Sequence, residues 1–401
     1  MLTFQDSLKE LFSSRFKILW ISSFLIGVLD APMQALLAVY VEAEIGGTPL
    51  LSAGLRSTFL LLGGLFAIPA GTLCDKIGTK TIFILGSTGT LVAGIVFLVH
   101  RPDLLFLLCL YIGVATGFST TAGQTYLIHA APRSSLGLGS AAFFMGMTLG
   151  SATGSRLAGM VVDTWGFETM GESMVILTSI VLLGTALMMP EIREDVKPST
   201  GKRSAWGEYL VLFKRWDVRL LVTVRFLPTC YWGSATLLIP LLIFRATGQV
   251  SAAANYTAIS LVIATGCQLL VGRLADTFGP RVPTLTASTC VALSAIGTGL
   301  CADSVTGLYL FGTTGTAAAW SVSTMMPRII DLITDPGERG RVVGVAHLGW
   351  SLAMLTGSLW GGRAVEWHPG LPFYAVSIGC VLTVIFLYVL FKRIAGRNIA
   401  V

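Results

Sequence analysis

The sequence predicts an all-α membrane protein with twelve transmembrane helices arranged as two similar halves. Hydrophobic residues make up 54% of the chain and charged residues 12%, about half of the ~25% charged fraction usual for soluble domains. Long apolar stretches alternate with short charged segments, which is the pattern of membrane spans. We predict spans at residues 17–41, 50–71, 80–99, 104–127, 137–161, 171–190, 219–244, 251–272, 282–302, 305–330, 342–362 and 371–391.

A short charged segment occurs twice and indicates a duplication. Residues 71–80 read GTLCDKIGTK after the second span, and residues 272–281 read GRLADTFGPR after the eighth, at an offset of 201 residues. Internal similarity of this kind indicates a repeated architecture. We therefore predict one six-helix bundle at 1–190, a cytoplasmic linker at 191–218 and a second six-helix bundle at 219–401.

The repeated segment resembles the signature loop of major facilitator superfamily (MFS) transporters, and the resemblance extends over essentially the whole chain. It departs from the family pattern at Cys74 and Thr79, and in the second copy at Thr277 and Pro280. The resemblance implies the MFS fold, transport of a small-molecule substrate by alternating access, and a gating role for both copies. The implied gating residues are Gly71, Asp75, Gly78, Lys80, Gly272, Asp276, Gly279 and Arg281.

The positive charge has a topological explanation. The net charge is +6, but the lysines and arginines gather at alternate loops and at the termini, as the positive-inside rule requires. We expect a multi-pass protein of the cytoplasmic (inner) membrane with both termini in the cytoplasm. The lipid bilayer is then the expected partner of the surface, and no nucleic-acid partner is expected. The cysteines have no metal-like spacing, so neither a metal nor a cofactor is expected. The protein is expected to be a monomer.

The first span carries Asp30 near its middle, close to Pro32 and Gln34. A charged side chain at the centre of a bilayer costs at least about 2.5–3.5 kcal/mol, so it faces a cavity or a partner. We interpret Asp30 as the proton-coupling carboxylate. The alternative is a structural salt bridge or a hydrogen bond between helices.

Other polar and aromatic residues inside the spans predict the wall of a solute cavity. The fourth span is polar in its second half, which suits a watery cavity better than lipid. Many family members carry an arginine where this span has Cys109, which weakens the transfer of the family's usual coupling scheme. Arg56 has an alternative role as an anchor at the outer interface, and His347 as a structural histidine. The predicted cavity residues are Gln34, Arg56, Gln124, Tyr126, Arg225, Tyr231, Trp232, Asn255, Trp320 and His347.

Glycines recur at four-residue spacing in the fifth span and resemble the MFS antiporter signature, which is associated with exporters. A similar run follows in the eleventh span, at an offset of 207 residues from Gly150 to Gly357. The alternative interpretation is close helix packing alone, because small residues four apart let another helix approach. The helix-packing residues are Gly146, Gly150, Gly154, Gly357 and Gly361.

The linker at residues 191–218 is basic and carries aromatic residues at helical spacing, from Trp206 to Trp216. This pattern predicts an interfacial helix on the inner leaflet.

Three functions are consistent with the sequence. The first is proton-driven efflux of a small amphipathic organic compound, with protons as the coupling ion. The second is import or facilitated diffusion of an organic anion of the carboxylate type, since Arg56 and Arg225 outnumber Asp30. A transporter-shaped sensor without transport is the least favoured alternative. No catalytic motif lies on suitable elements, so we do not expect an enzyme.

Overall fold

The structure is a computed structural model that describes residues 12, 15–130, 136–191, 212, 214–333 and 339–398. Within these ranges every regular element is an α-helix, which confirms the predicted all-α class. The elements are α1 (Phe16–Ala43), α2 (Pro49–Ile77), α3 (Thr79–Val96), α4 (Pro102–Ala130), α5 (Leu136–Met188), α6 (Trp216–Thr247), α7 (Val250–Phe278), α8 (Arg281–Leu300), α9 (Val305–Ile333), α10 (Arg339–Ala364) and α11 (Leu371–Asn398).

Element α5 contains the predicted fifth and sixth spans. It is 53 residues long and is interrupted at Gly166, whose φ of 83° and ψ of 172° are not helical. Glycine adopts this conformation without the steric penalty of a Cβ atom. Nine of the described elements contain stretches long and apolar enough to cross a membrane. The prediction of a multi-pass membrane protein is confirmed.

The repeated charged segments are more helical than a loop. Residues 71–77 continue α2 and residues 272–278 continue α7, so the chain leaves the helix only at the next residue of each copy. These residues are Gly78, with φ of 109°, and Gly279, with φ of 78°. Positive φ values favour glycine. The backbone N–H and C=O groups of an α-helix form hydrogen bonds with each other, so a helix can continue through polar residues. In each copy, the glycine with positive φ ends the helix.

The described chain groups into two compact units. The first comprises Met1–Gly47, Leu55–Lys197 and Gln249–Ala258, and the second comprises Thr48–Gly54, Pro198–Gly248 and Ile259–Val401. In the first unit, α1 packs along α5 and α3 along α4; in the second, α6 packs along α10 and α8 along α9. The same pairing of helices therefore occurs in each unit.

Glycines allow the closest of these helix contacts. A Cβ atom on Gly150 would meet the carbonyl oxygen of Phe24 in α1, and one on Gly357 would meet that of Cys230 in α6. Gly154 is equally close to the carbonyl oxygen of Val28, Gly146 lies against the indole of Trp20, and Gly361 lies near Ser234 and Leu238. Contacts of this kind are the usual basis of helix packing in membranes, where small residues let two backbones approach.

Each unit has a packed apolar core near one end. The core of the first unit includes Phe16, Leu19, Ile82, Phe83, Tyr126 and Phe143, and that of the second includes Leu221, Val224, Met325, Ile329, Leu387 and Phe391.

The predicted linker lies mostly outside the described residues, at 192–211 and 213. Its last residues, Arg215 and Asp217, form an ion pair of 2.8 Å at the start of α6. Arg215 also donates a 2.6 Å hydrogen bond to the carbonyl of Ile333 at the end of α9. The start of α6 is therefore attached to α9 within the second unit.

Candidate functional site

The first unit holds a set of polar groups at the contact of α1 with α2. The carboxylate of Asp30 accepts a long hydrogen bond of 3.5 Å from the side-chain amide of Gln34, one helical turn further along α1. The backbone carbonyl of Gln34 accepts a 3.2 Å hydrogen bond from the guanidinium of Arg56 in α2. Gln34 therefore connects the acid and the arginine, and the arginine is buried, with 4% of its surface exposed.

The Asp30 carboxylate has no ion pair among the described residues. Its one hydrogen bond in the described part of the chain comes from Gln34, and its neighbours in sequence, Leu29 and Ala31, are buried and apolar. A carboxylate that is held by one long neutral hydrogen bond can gain a proton without the breaking of an ion pair. Pro32 follows within the same helix and removes one backbone hydrogen bond next to the acid.

The second unit holds a recess beside an aromatic cluster. Trp232 in α6 contacts Trp320 in α9 with ring centroids 4.9 Å apart and Trp350 in α10 with centroids 6.2 Å apart, both edge to face. His347 stacks on Trp350 at 5.5 Å. The recess is lined by Arg225, Pro228, Thr229, Trp232, Ala319, Val322, Ser323 and Met326.

The polar side chains that line this recess are Arg225, Thr229 and Ser323, and none of the lining residues is an acid. The Nε atom of Arg225 is buried and has no hydrogen-bond partner among the described residues. A guanidinium can donate hydrogen bonds but cannot accept them, so the recess suits an anionic or strongly accepting group.

Two of the predicted cavity residues lie in packed cores. Tyr126 is fully buried in the core of the first unit, where its hydroxyl donates a 3.0 Å hydrogen bond to the carbonyl of Pro190. Tyr231 is 1% exposed and packs edge to face on Phe373. Both tyrosines therefore have evident packing roles in the structure.

The other predicted residues lie nearer the surface of their units. Gln124 and His347 are exposed, whereas Asn255 is half-buried near the start of α7. The structure therefore assembles two separate constellations: Asp30, Gln34 and Arg56 in the first unit, and Arg225 with the tryptophans and His347 in the second.

In the two repeated segments, the structure does not describe the side chains of Asp75 and Asp276 or the surroundings of Gly71. A Cβ atom on Gly272 or Gly279 would meet nothing within 4 Å. The guanidinium of Arg281 lies over the ring of Tyr388 at 5.6 Å.

Glu191 is a neighbour of the first repeated segment that the sequence did not reveal. Its carboxylate accepts hydrogen bonds from the backbone N–H of Lys80 at 3.2 Å and from the hydroxyl of Thr81 at 3.4 Å. It also fills the space next to Gly78 that a side chain would need. An acid at the N-terminus of a helix is favoured by the helix dipole. In the sequence, the one indication of this contact is that Glu191 directly follows the predicted sixth span.

Asp163 plays a similar part at the start of α7. Its two carboxylate oxygens accept hydrogen bonds from the backbone N–H groups of Val250 at 2.9 Å and Ser251 at 3.1 Å. All three residues belong to the first unit. The first N–H groups of a helix have no hydrogen-bond acceptor within the helix. Asp163, which is distant in the sequence, supplies the acceptor for two of them.

Comparison with known proteins places this architecture in a family. The family model of the Major Facilitator Superfamily matches residues 19–327. An uncharacterised MFS-type transporter of Methanocaldococcus jannaschii is 25% identical over 152 residues, which are 38% of this chain and 39% of that relative. The chain thus matches less than half the length of this curated relative.

Solved structures share the fold. A POT family transporter in complex with 5-aminolevulinic acid superposes with a TM-score of 0.79 at 13% identity, over 94% of this chain and 96% of the other. A variant of the nucleoside transporter NupG superposes with a TM-score of 0.77 at 14% identity, over 94% and 99% of the two chains. The family match over most of its length shows that this chain, a multi-pass membrane protein, belongs to the Major Facilitator Superfamily.

Proposed function

We propose that the protein is a proton-coupled secondary transporter that exports a small amphipathic organic compound across the cytoplasmic membrane by alternating access. The observation that carries this proposal is the Asp30 carboxylate, held inside the first unit by one 3.5 Å hydrogen bond from Gln34. A membrane-embedded acid without a strong partner is a functional candidate, because its insertion is costly and its role in packing is small.

Gln34 connects the protonation of Asp30 to the second helix. When Asp30 takes up a proton, it gains an O–H donor and loses its negative charge, so the hydrogen bond that it accepts from the Gln34 amide weakens and the new O–H requires an acceptor. The carbonyl of Gln34 accepts a hydrogen bond from the Arg56 guanidinium. A movement of α1 at this turn would therefore also move Arg56 in α2. If the protonated and ionised forms of Asp30 favour different conformations, protonation shifts the equilibrium between them.

The same proposal includes the organisation of the chain. We take residues 1–190 and 219–401 as the two bundles, 191–218 as a cytoplasmic linker, and the repeated charged segments as gates. The distribution of basic residues supports a cytoplasmic position for both termini, and we take the functional unit to be a monomer. Export, rather than uptake, is favoured by the resemblance of Gly146–Gly154 to the antiporter signature.

A second candidate is uptake or facilitated diffusion of an organic anion. The observation that favours it is Arg225, whose buried Nε atom has no partner in the described structure. The two candidates differ in their dependence on the proton gradient, so one assay separates them.

The test is transport in reconstituted vesicles with an imposed pH gradient and a panel of labelled solutes. Asp30→Asn is expected to abolish gradient-driven accumulation while the exchange of labelled for unlabelled solute continues, because the amide cannot release a proton. Asp103→Asn is the matched control, since Asp103 is an exposed acid that pairs with Arg101 at the start of α4. Gradient-driven transport that persists in Asp30→Asn would overturn the coupling role. Movement of an anion that ignores the pH gradient would favour the second candidate.

A further inference from the structure

We propose that the recess in the second unit binds the carboxylate group of an aromatic solute, with Arg225 holding the carboxylate and Trp232 packing against the ring. The inference rests on the proposed transport function and names the class of substrate: a small aromatic carboxylate.

The first argument is the charge of Arg225. It lies on α6 within the recess, and no ion pair of Arg225 occurs among the described residues. Arg225 is half-buried, and inside a membrane an ionisable side chain normally finds a partner or marks a solute path. A substrate carboxylate would supply the missing negative charge.

The second argument is the set of free donors. The Arg225 Nε atom is buried without a partner, and the hydroxyl of Ser323 lines the same recess. The other lining hydroxyl, that of Thr229, is already engaged in a 2.6 Å hydrogen bond to the backbone carbonyl of Arg225. A planar guanidinium matches the two oxygens of a carboxylate with parallel hydrogen bonds. The recess therefore offers a carboxylate a two-pronged donor and one additional hydroxyl.

The third argument is size. As it stands, the recess has room for about one water molecule, so it can accept a small group only when its lining side chains move. Of the common anionic groups, a carboxylate is flatter and smaller than a sulfonate or a phosphate, so it requires the least movement.

The fourth argument is the aromatic surface beside the arginine. Trp232 lines the recess and meets Trp320 and Trp350 edge to face. His347 extends this surface by stacking on Trp350. Offset and edge-to-face contacts with such rings favour a flat aromatic group. A ring joined to the bound carboxylate would lie against this surface.

The same features disfavour cationic solutes. Tryptophan faces attract cations, but a cation in this recess would lie next to the positive charge of Arg225 with no acid among the lining residues to offset the repulsion. The site is therefore expected to select against amines of the same shape.

The test uses the full-length protein, purified in detergent, with benzoate as the probe and benzamide as its uncharged near-isostere. Binding is measured by calorimetry without any gradient, and benzylamine is included as the cationic comparison. Benzoate is expected to bind at least tenfold more tightly than benzamide, and benzylamine more weakly than either. Equal affinities for benzoate and benzamide in the wild-type protein would overturn the proposal.

Variants then locate the binding. Arg225→Gln is expected to abolish the preference for benzoate, whereas Arg219→Gln, an exposed arginine on the same helix that lies over Trp216, is expected to keep it. Ser323→Ala removes the lining hydroxyl and should weaken benzoate more than benzamide. A benzoate preference that survives in folded Arg225→Gln overturns the assignment of the site. If Arg225→Gln does not fold, an unchanged preference in Ser323→Ala overturns it instead.

The outcome is separable from that of the proposed function. Binding is measured without a proton gradient, so the benzoate preferences of the wild-type protein and of Arg225→Gln test the anion site whether or not Asp30→Asn abolishes gradient-driven accumulation.

Discussion

Ser151 and Ser358, which lie 207 residues apart in the sequence, make the same hydrogen bond in their separate units. The hydroxyl of Ser151 donates to the carbonyl of Gly27 at 3.4 Å, and that of Ser358 donates to the carbonyl of Gly233 at 3.2 Å. In a bilayer interior, polar groups that bond across helices hold them together. The duplication in the sequence is therefore repeated in this hydrogen bond between helices.

The glycine that precedes each serine tests how tightly these helices are packed. Gly150→Ala would place a methyl group on the carbonyl oxygen of Phe24, and we expect it to lower the free energy of unfolding by about 1–3 kcal/mol, as overpacking does. Gly184→Ala, in the same element with no atom within 4 Å, should leave stability unchanged or raise it by up to about 1 kcal/mol. Melting temperatures of the purified variants give the comparison. Equal shifts in both variants would show that the close approach does not limit stability.

The cap at the start of α3 gives a second prediction. Glu191→Ala removes the acceptor of the Lys80 N–H and is expected to cost about 0.5–2 kcal/mol. Glu172→Ala is the control, because Glu172 is an exposed acid in the element that precedes Glu191. Thermal unfolding measures the cost. Hydrogen exchange at residues 79–82 should accelerate in Glu191→Ala alone, and exchange that is unchanged there would contradict the capping role.

The sequence predicted the helices better than it predicted the site. The apolar stretches and the repeated segment are properties of the local sequence, so the spans and the repetition could be predicted from it. The exact end of α2 could not be predicted, because it depends on the positive φ of Gly78 rather than on the polarity of the residues before it. The break at Gly166 was anticipated only as a gap between two apolar runs.

Contacts between distant residues account for the rest. The sequence predicts Tyr126 in the cavity wall because its hydroxyl is polar. In the structure this hydroxyl donates a hydrogen bond to the carbonyl of Pro190 within a packed core. The roles of Glu191 and Asp163 likewise depend on backbone groups far away in the sequence. The aromatic cluster was predicted as separate cavity residues, but the pairing of Trp232 with Trp320 required the structure.

The buried tyrosine gives a third prediction. Tyr126→Phe leaves the carbonyl of Pro190 without this donor, and we expect a loss of about 0.5–1.5 kcal/mol of stability. Tyr374→Phe is the control, since the Tyr374 ring lies at an exposed position. Melting temperatures should separate the two, with the larger decrease in Tyr126→Phe. If Tyr126→Phe instead keeps full stability and changes solute binding, Tyr126 belongs to the cavity wall, as its polarity first indicated.

The carboxylate of Asp163 gives the last prediction, because it bonds two backbone N–H groups at once at the start of α7. Asp163→Ala removes both acceptors, and the loss of a helix cap of this kind costs about 0.5–2 kcal/mol. A cost of one to two kcal/mol corresponds to an increase of about 5–30-fold in the population of the opened segment, which hydrogen exchange at Val250 and Ser251 reports directly.

Asp163→Asn keeps one acceptor oxygen and loses the charge, so its exchange rates should fall between those of the wild type and Asp163→Ala. Glu168→Ala changes a nearby exposed acid of the same element and should leave exchange at residues 250–251 unaltered. Residues 249–258 group with the first unit. If Asp163 stabilises only the first turn of α7, Asp163→Ala should accelerate hydrogen exchange at that turn and nowhere else. Faster exchange along α7 beyond Ala258 would instead show that Asp163 holds the whole helix in place.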